Sequence, residues 1–148
     1  MEKKIKSSEF KRIIAPVDGS TYSKKAVKKA MYLAKQTGAE VIALFVIDTP
    51  RLTRTIPPDD LSRTWYEVLR TQGQEVLDDV RKTGKKMGVK IKTKLVEGIP
   101  EEVIMKEAKK DDLIVMGCKG MSAIDRILIG SVCENVVRHA DAQVMVVR

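Results

Sequence analysis

Leu113-Ile114-Val115-Met116-Gly117-Cys118-Lys119-Gly120, followed after nine residues by Gly130-Ser131, is the stretch whose reading decides the fold. An apolar run ends in closely spaced glycines, and a helical segment opens at Ser131. Glycines just after a strand and just before a helix let the backbone approach a bulky anion. They also leave amide N–H groups to point at it. The chain has neither GxxxxGK[ST] nor a GxGxxG after its first apolar run. The spacing therefore indicates a nucleotide held by a different loop.

Working outward, strand and helix patterns alternate along the chain. Arg12 to Val17 is a short apolar run stopped by Asp18-Gly19-Ser20, a turn followed by a good helix N-cap. Ala26, Ala30, Leu33 and Ala34 mark one face of the next helix, which Thr37-Gly38 closes. Val41 to Ile47 is apolar at every position, as a strand covered on both faces should be. Asp48 to Asp60 holds Pro50, Pro57 and Pro58 and is expected to be irregular, a candidate lid or binding loop. A helical pattern runs from Leu61 to about Met87, with Gly73 weakening it midway. Val89 to Val96 alternates apolar residues with lysines, which predicts a strand near a sheet edge. Pro100, Glu101 and Glu102 suit a helix start. Leu113 to Met116 is the fourth strand, Ser131 to His139 the last helix and Val144 to Val147 the last strand.

Five strands separated by helices imply an α/β fold, a single doubly wound parallel sheet with helices on both faces. Ligands of such sheets bind beyond the carboxyl ends of the strands, where strand order reverses. Two connections matter most: Pro16-Val17-Asp18-Gly19 after the first strand, and the glycine loop after the fourth. If those strands are neighbours, both loops border one crevice.

Composition bounds the alternatives. The chain has 148 residues, 43% hydrophobic and 32% charged, which fits one domain with a single core. Residues 1–10 are charged, lack the apolar segment of a signal peptide and read as a mobile tail, leaving 11–148 as the domain. The longest apolar run, Val41 to Ile47, falls far short of the ~20 residues that span a bilayer. Cys118, Cys133 and one histidine, His139, fit no zinc pattern, and a cytoplasmic, reducing location is favoured. The thiols read as small, semi-buried groups, with a redox sensor at Cys118 as the alternative. The net charge is +8, and Lys24, Lys25, Lys28 and Lys29 lie on an outward helical face. Such a face attracts polyanions. With 4% aromatic residues and no strand interleaving basic and aromatic side chains, a dedicated nucleic-acid function is disfavoured.

Pro16-x-Asp18-Gly19-Ser20, Phe45-Val46-Ile47-Asp48 and the G-x2-G-x9-G-S run of Gly117, Gly120, Gly130 and Ser131 resemble the universal stress protein family and its ATP-binding subgroup. The resemblance implies strand order 3-2-1-4-5 in the adenine nucleotide alpha hydrolase-like manner, ATP or AMP in the crevice, and dimers. It places Pro16, Val17 and Asp18 at the switch point, with Asp18 toward ribose hydroxyls or a phosphate-bound Mg or Mn. The local rival for Asp18 is a turn stabilised through its own backbone. Val46 would meet adenine; Met116 and Gly117 would border the ribose. Gly120 and Gly130 would let the backbone close around phosphates, with Ser131 and Val132 offering N–H groups. Lys119 is either a point charge toward a phosphate or a solvated lysine. Ser131-Val132-Cys133-Glu134 also reads as a capping box, which competes for the Ser131 hydroxyl. Arg51 and Arg54 are further candidate phosphate contacts.

The chain departs from the family pattern at Cys133, where Ser or Thr is common, and at Ala142-Gln143, ahead of the last strand. In the family that strand, here Val144, Met145, Val146 and Val147, pairs with its copy in a homodimer. The function implied is a nucleotide-controlled regulatory switch of the stress response. A slow metal-dependent ATPase and a polyanion binder are the alternatives. Asp18 is the one evident acid at the site, and no histidine lies in its loops, which leaves little with which to orient an attacking water.

Overall fold

Residues along each apolar run turn alternately to the two faces of one sheet. Ile13 and Ala15 enter one core while Ile14 enters the other; Leu113 and Val115 enter the first while Ile114 and Met116 enter the second. This division follows from the two-residue period of a strand. The computed structural model describes residues 10–56, 60–120 and 128–148. Of residues 1–10, expected as a mobile tail, 1–9 lie outside them, while Phe10 departs from that expectation and packs against the first core.

The strands are β1 (Arg12–Pro16), β2 (Glu40–Ile47), β3 (Ile91–Glu97), β4 (Leu113–Gly117) and β5 (Gln143–Val147). They form one parallel sheet of order β3-β2-β1-β4-β5. The order reverses between β1, which pairs Ile13 with Leu113 of β4, and its other neighbour β2. The two loops marked from the sequence therefore do border one crevice. The alternating exposure of β3 and the exposure of β5 mark the two sheet edges.

The helices are α1 (Thr21–Thr37), α2 (Thr49–Thr55), α3 (Asp60–Met87), α4 (Pro100–Glu107) and α5 (Ser131–His139). Residues of α1 and α3 fill the first core, those of α4 and α5 the second. Ser20 caps α1 by accepting the Ser23 N–H at 3.1 Å, and Gly38 closes it in the left-handed region at φ 76°. At the amino ends of the strands, Arg12 donates to both carboxylate oxygens of the buried Asp112, at 3.2 and 2.7 Å. The same guanidinium reaches the Glu107 carbonyl, joining β1 to the end of α4.

Two expectations are corrected. Asp48 to Asp60 is not wholly irregular, because residues 49–55 form α2. Pro50 sits in the first turn, where no N–H is required, and Asp48 caps the helix by accepting the Arg51 N–H at 3.0 Å. Pro57 and Pro58 lie outside the described residues. Gly73, expected to weaken α3, lies within an unbroken helix and serves packing instead. A β-carbon there would stand 2.7 Å from Phe45 Cδ1 and 2.8 Å from Leu95 Cδ1. The missing side chain lets α3 lie down on β2 and β3.

Candidate functional site

A cleft of about 630 Å³ opens beyond the carboxyl ends of β1, β2 and β4. Pro16, Val17 and Asp18 reach it from β1, and Val46 from β2. Met116, Gly117, Lys119 and Gly120 reach it from β4, and Gly130, Ser131 and Val132 from the start of α5. The fold thus brings together residues more than a hundred positions apart, all singled out from the sequence. Lys119 also sits 5.7 Å from the centroid of the Tyr22 ring, so its position is shaped by an aromatic neighbour.

Asp18 has two tasks. Its Oδ1 accepts the Ser20 N–H at 2.9 Å, which is the turn-stabilising role. Its Oδ2 faces Gly120, where a β-carbon would stand only 2.7 Å away. A side chain at 120 would have to displace the Asp18 carboxylate. Gly117 is needed for a different reason: a β-carbon there would stand 2.7 Å from the Tyr22 backbone of α1.

The opening of α5 corrects the capping-box reading. Gly130, not Ser131, is the N-cap, and no side chain caps the helix. Ser131 is its first helical residue and is exposed. Its hydroxyl is therefore not committed to the helix end. The first intrahelical bond runs from Glu134 N–H to the Gly130 carbonyl at 2.9 Å. The amides of Ser131 and Val132 precede it and have no acceptor within the helix. The Gly130 N–H itself donates to the Cys118 carbonyl at 2.6 Å and pins the helix start against the β4 loop. Together these features make a concave, amide-lined rim suited to an anion.

Among the described residues no cluster of three His, Cys, Asp or Glu side chains is placed to hold a metal ion. Both thiols are free and buried. Burial pushes the Cys133 thiol up to about 11, with Cys118 nearby adding to it. His139 lies exposed in the last turn of α5, away from the cleft lining.

The far wall was less legible. Leu52 of α2 and Ile56, which caps it, reach the wall, as do Leu69 and Gln72 of α3. Leu69 and Gln72 are three apart on one helix face, a signal present in the sequence but without an indication of what that face meets. Arg51 lines the cleft, whereas Arg54 does not; its Nε donates to the Pro50 carbonyl at 3.2 Å.

Residues 9–148 match the profile of the universal stress protein family. This chain belongs to that family. Universal stress protein MJ0531 of Methanocaldococcus jannaschii is 41% identical over 141 residues, covering 94% of this chain and 82% of that protein. Among solved structures, the hypothetical protein MJ0577 superposes with a TM-score of 0.81 at 30% identity, covering 94% of this chain and 96% of its own. A universal stress protein solved in complex with cAMP superposes at TM-score 0.67 and 25% identity, covering 94% and 97%. Among the described residues no helix is long and apolar enough to cross a membrane.

Proposed function

We propose that this universal stress protein is a regulatory protein that binds an adenine nucleotide, ATP or AMP, in the cleft between β1 and β4. The observation that carries this reading is the joint lining of one cleft by the Asp18 turn, the glycine loop at 117–120 and the amide-bearing start of α5. The chemistry of the rim fits a phosphate group: uncommitted first-turn amides, the Ser131 hydroxyl and Lys119 converge on the same opening. The apolar side chains of Val46 and Met116 suit a flat base and a sugar. A family relative that is a complex with cAMP supports the same class of ligand.

Ribose hydroxyls would meet Asp18, with Mg or Mn accompanying the phosphates if ATP is the ligand. Binding would act by population shift, favouring the arrangement in which the β4 loop and the α5 start are held together. Homodimer formation through β5 fits the exposure of Met145 and Val146 on that edge strand. The switch would operate in the cytoplasm as part of the stress response.

The direct test is mass spectrometry of nucleotide released from freshly purified, unfolded protein, followed by calorimetric titration of the stripped protein with ATP and AMP. Recovery of stoichiometric adenine nucleotide is the expected result. Protein that carries none, and takes up neither compound at millimolar concentration, overturns the reading.

A further inference from the structure

Positive charge on the described surface is unevenly answered. Arg12, Arg81, Lys90, Lys92, Lys94 and Arg138 each stand within ion-pair distance of a carboxylate. Helix α1 differs, with five lysines and no acidic residue between Thr21 and Thr37. Lys24, Lys25, Lys28, Lys29 and Lys35 are all exposed. Lys25 lies 5.8 Å from the centroid of the Tyr22 ring. The other four have no ion-pair partner among the described residues.

The fold orients this charge. Ala26, Val27, Ala30, Met31 and Ala34 enter the first core, so the lysines face outward. With 3.6 residues per turn, Lys24, Lys28 and Lys35 form one row and Lys25 and Lys29 a second beside it. Helix α3 covers the same side of the sheet, and Lys82, Lys85 and Lys86 in its C-terminal part are exposed. Both helices lead back to the amino ends of the strands. Lys35, Lys85 and Lys86, in their last turns, therefore lie at the same end of the molecule.

The composition of the face selects among anionic partners. A helix that lies on a lipid surface buries an apolar side, and the apolar side of α1 is already committed to the core. Protein interfaces favour aromatic residues and arginine and are depleted in lysine. Phosphate backbones need only point charges, which lysine supplies without reading bases. Stacking aromatics, whose scarcity argues against single-strand binding, are not needed for a duplex, whose bases stay stacked.

We propose that the outer face of α1 is a sequence-independent docking surface for the phosphate backbone of a nucleic-acid duplex. The dimensions agree. Lys24 to Lys35 spans ~16 Å of helix. A DNA duplex carries one charge per about 1.7 Å of axis, so that length presents about nine phosphates, of which about half lie on the near side. The near side thus offers about as many phosphates as α1 has lysines. This surface is separate from the cleft and does not depend on what the cleft binds.

The experiment is fluorescence anisotropy with a labelled DNA duplex of arbitrary sequence, titrated with the whole protein at several salt concentrations. For about four neutralised phosphates, affinity should fall roughly a hundredfold between 50 and 200 mM salt. The variant carrying Lys24→Gln, Lys28→Gln and Lys29→Gln keeps good helix formers on the surface. Its slope of log affinity against log salt should shrink by about 0.9 for each lysine removed. The control carries Lys106→Gln, Lys109→Gln and Lys110→Gln, exposed positions in and after α4, which packs on the opposite side of the sheet. It loses the same charge and should keep the wild-type slope. No binding by wild type, binding insensitive to salt, or equal loss in both variants overturns the proposal. So does capture by phosphatidylserine vesicles that depends on the α1 lysines while the duplex is left unbound.

Discussion

Asp18 Oδ2 and Gly120 occupy adjoining space, so close that a β-carbon on Gly120 would stand 2.7 Å from the carboxylate oxygen. The loops after β1 and β4 are thus fitted to each other at one point, although Asp18 and Gly120 lie 102 positions apart in the chain. The other carboxylate oxygen is held by the Ser20 N–H, which limits how far Asp18 can retreat.

Gly120→Ala should therefore disturb the site more than the fold. The added methyl meets the end of a side chain at a loop, not the packed core. We expect a melting temperature within a few degrees of wild type and ATP affinity lower by about tenfold or more, an amount worth about 1.4 kcal/mol. Calorimetric titration beside thermal denaturation checks both. Unchanged affinity would show that Asp18 moves aside without consequence for the ligand.

Ser131→Ala separates two roles that the sequence alone leaves entangled. Because Gly130 caps α5 and Ser131 is exposed, loss of the hydroxyl should change stability by no more than about 0.5 kcal/mol. Loss of a true capping serine would cost about 0.5–2 kcal/mol. Affinity for nucleotide should fall in the same variant. Urea denaturation of the ligand-free protein reads the first quantity and titration the second.

Gly73→Ala should be destabilising even though alanine favours a helix. The propensity gain is about 1 kcal/mol. Against it stands overpacking upon Phe45 and Leu95, with a β-carbon within 2.8 Å of both side chains, and such insertions cost about 1–3 kcal/mol. A net loss in chemical denaturation is expected. A gain would mean that the Phe45 ring yields easily.

Alkaline pH should act through Cys133. Its thiol is raised from 9.0 to about 11, chiefly because burial disfavours the thiolate. The unfolded chain therefore releases this proton first. The contribution to stability is fully present below about pH 9 and is lost as pH rises from 9 to 11. Alkylation by iodoacetamide should be slow at pH 8 and accelerate toward pH 11. Cys133→Ser should flatten that part of the stability profile, as denaturation curves at several pH values would reveal.

The β5 edge makes a separate prediction. Met145 and Val146 are each 36% exposed on a strand with one neighbour. Val146→Lys should convert a dimer to a monomer in sedimentation experiments while leaving the melting of the protomer nearly unchanged. A monomeric wild type would remove the β5 interface.

How much could be read in advance varies with the range of the interaction. The apolar runs at 12–17, 41–47 and 113–116 declared themselves as strands, and 41–47, apolar at every position, also as one covered on both faces. The lysine alternation of 89–96 likewise placed β3 at an edge, and Gly117, Gly120 and Gly130 announced a close backbone approach after β4. These are local signals, carried by composition and spacing. Pro50 misled because proline breaks a helix interior yet suits its first turn, and which applies depends on the Asp48 cap. Gly130 took the capping position from Ser131 because its carbonyl and N–H are fixed by Glu134 and Cys118, the latter across the loop. The spacing of Leu69 and Gln72 puts them on one helix face but does not say what that face meets. Sequence by itself determined the strands, the helices between them other than α2, and the glycine loop after β4, since each depends on its immediate neighbours. Only the tertiary structure decided the opposite wall of the cleft, because that wall exists only where α3 settles onto Phe45.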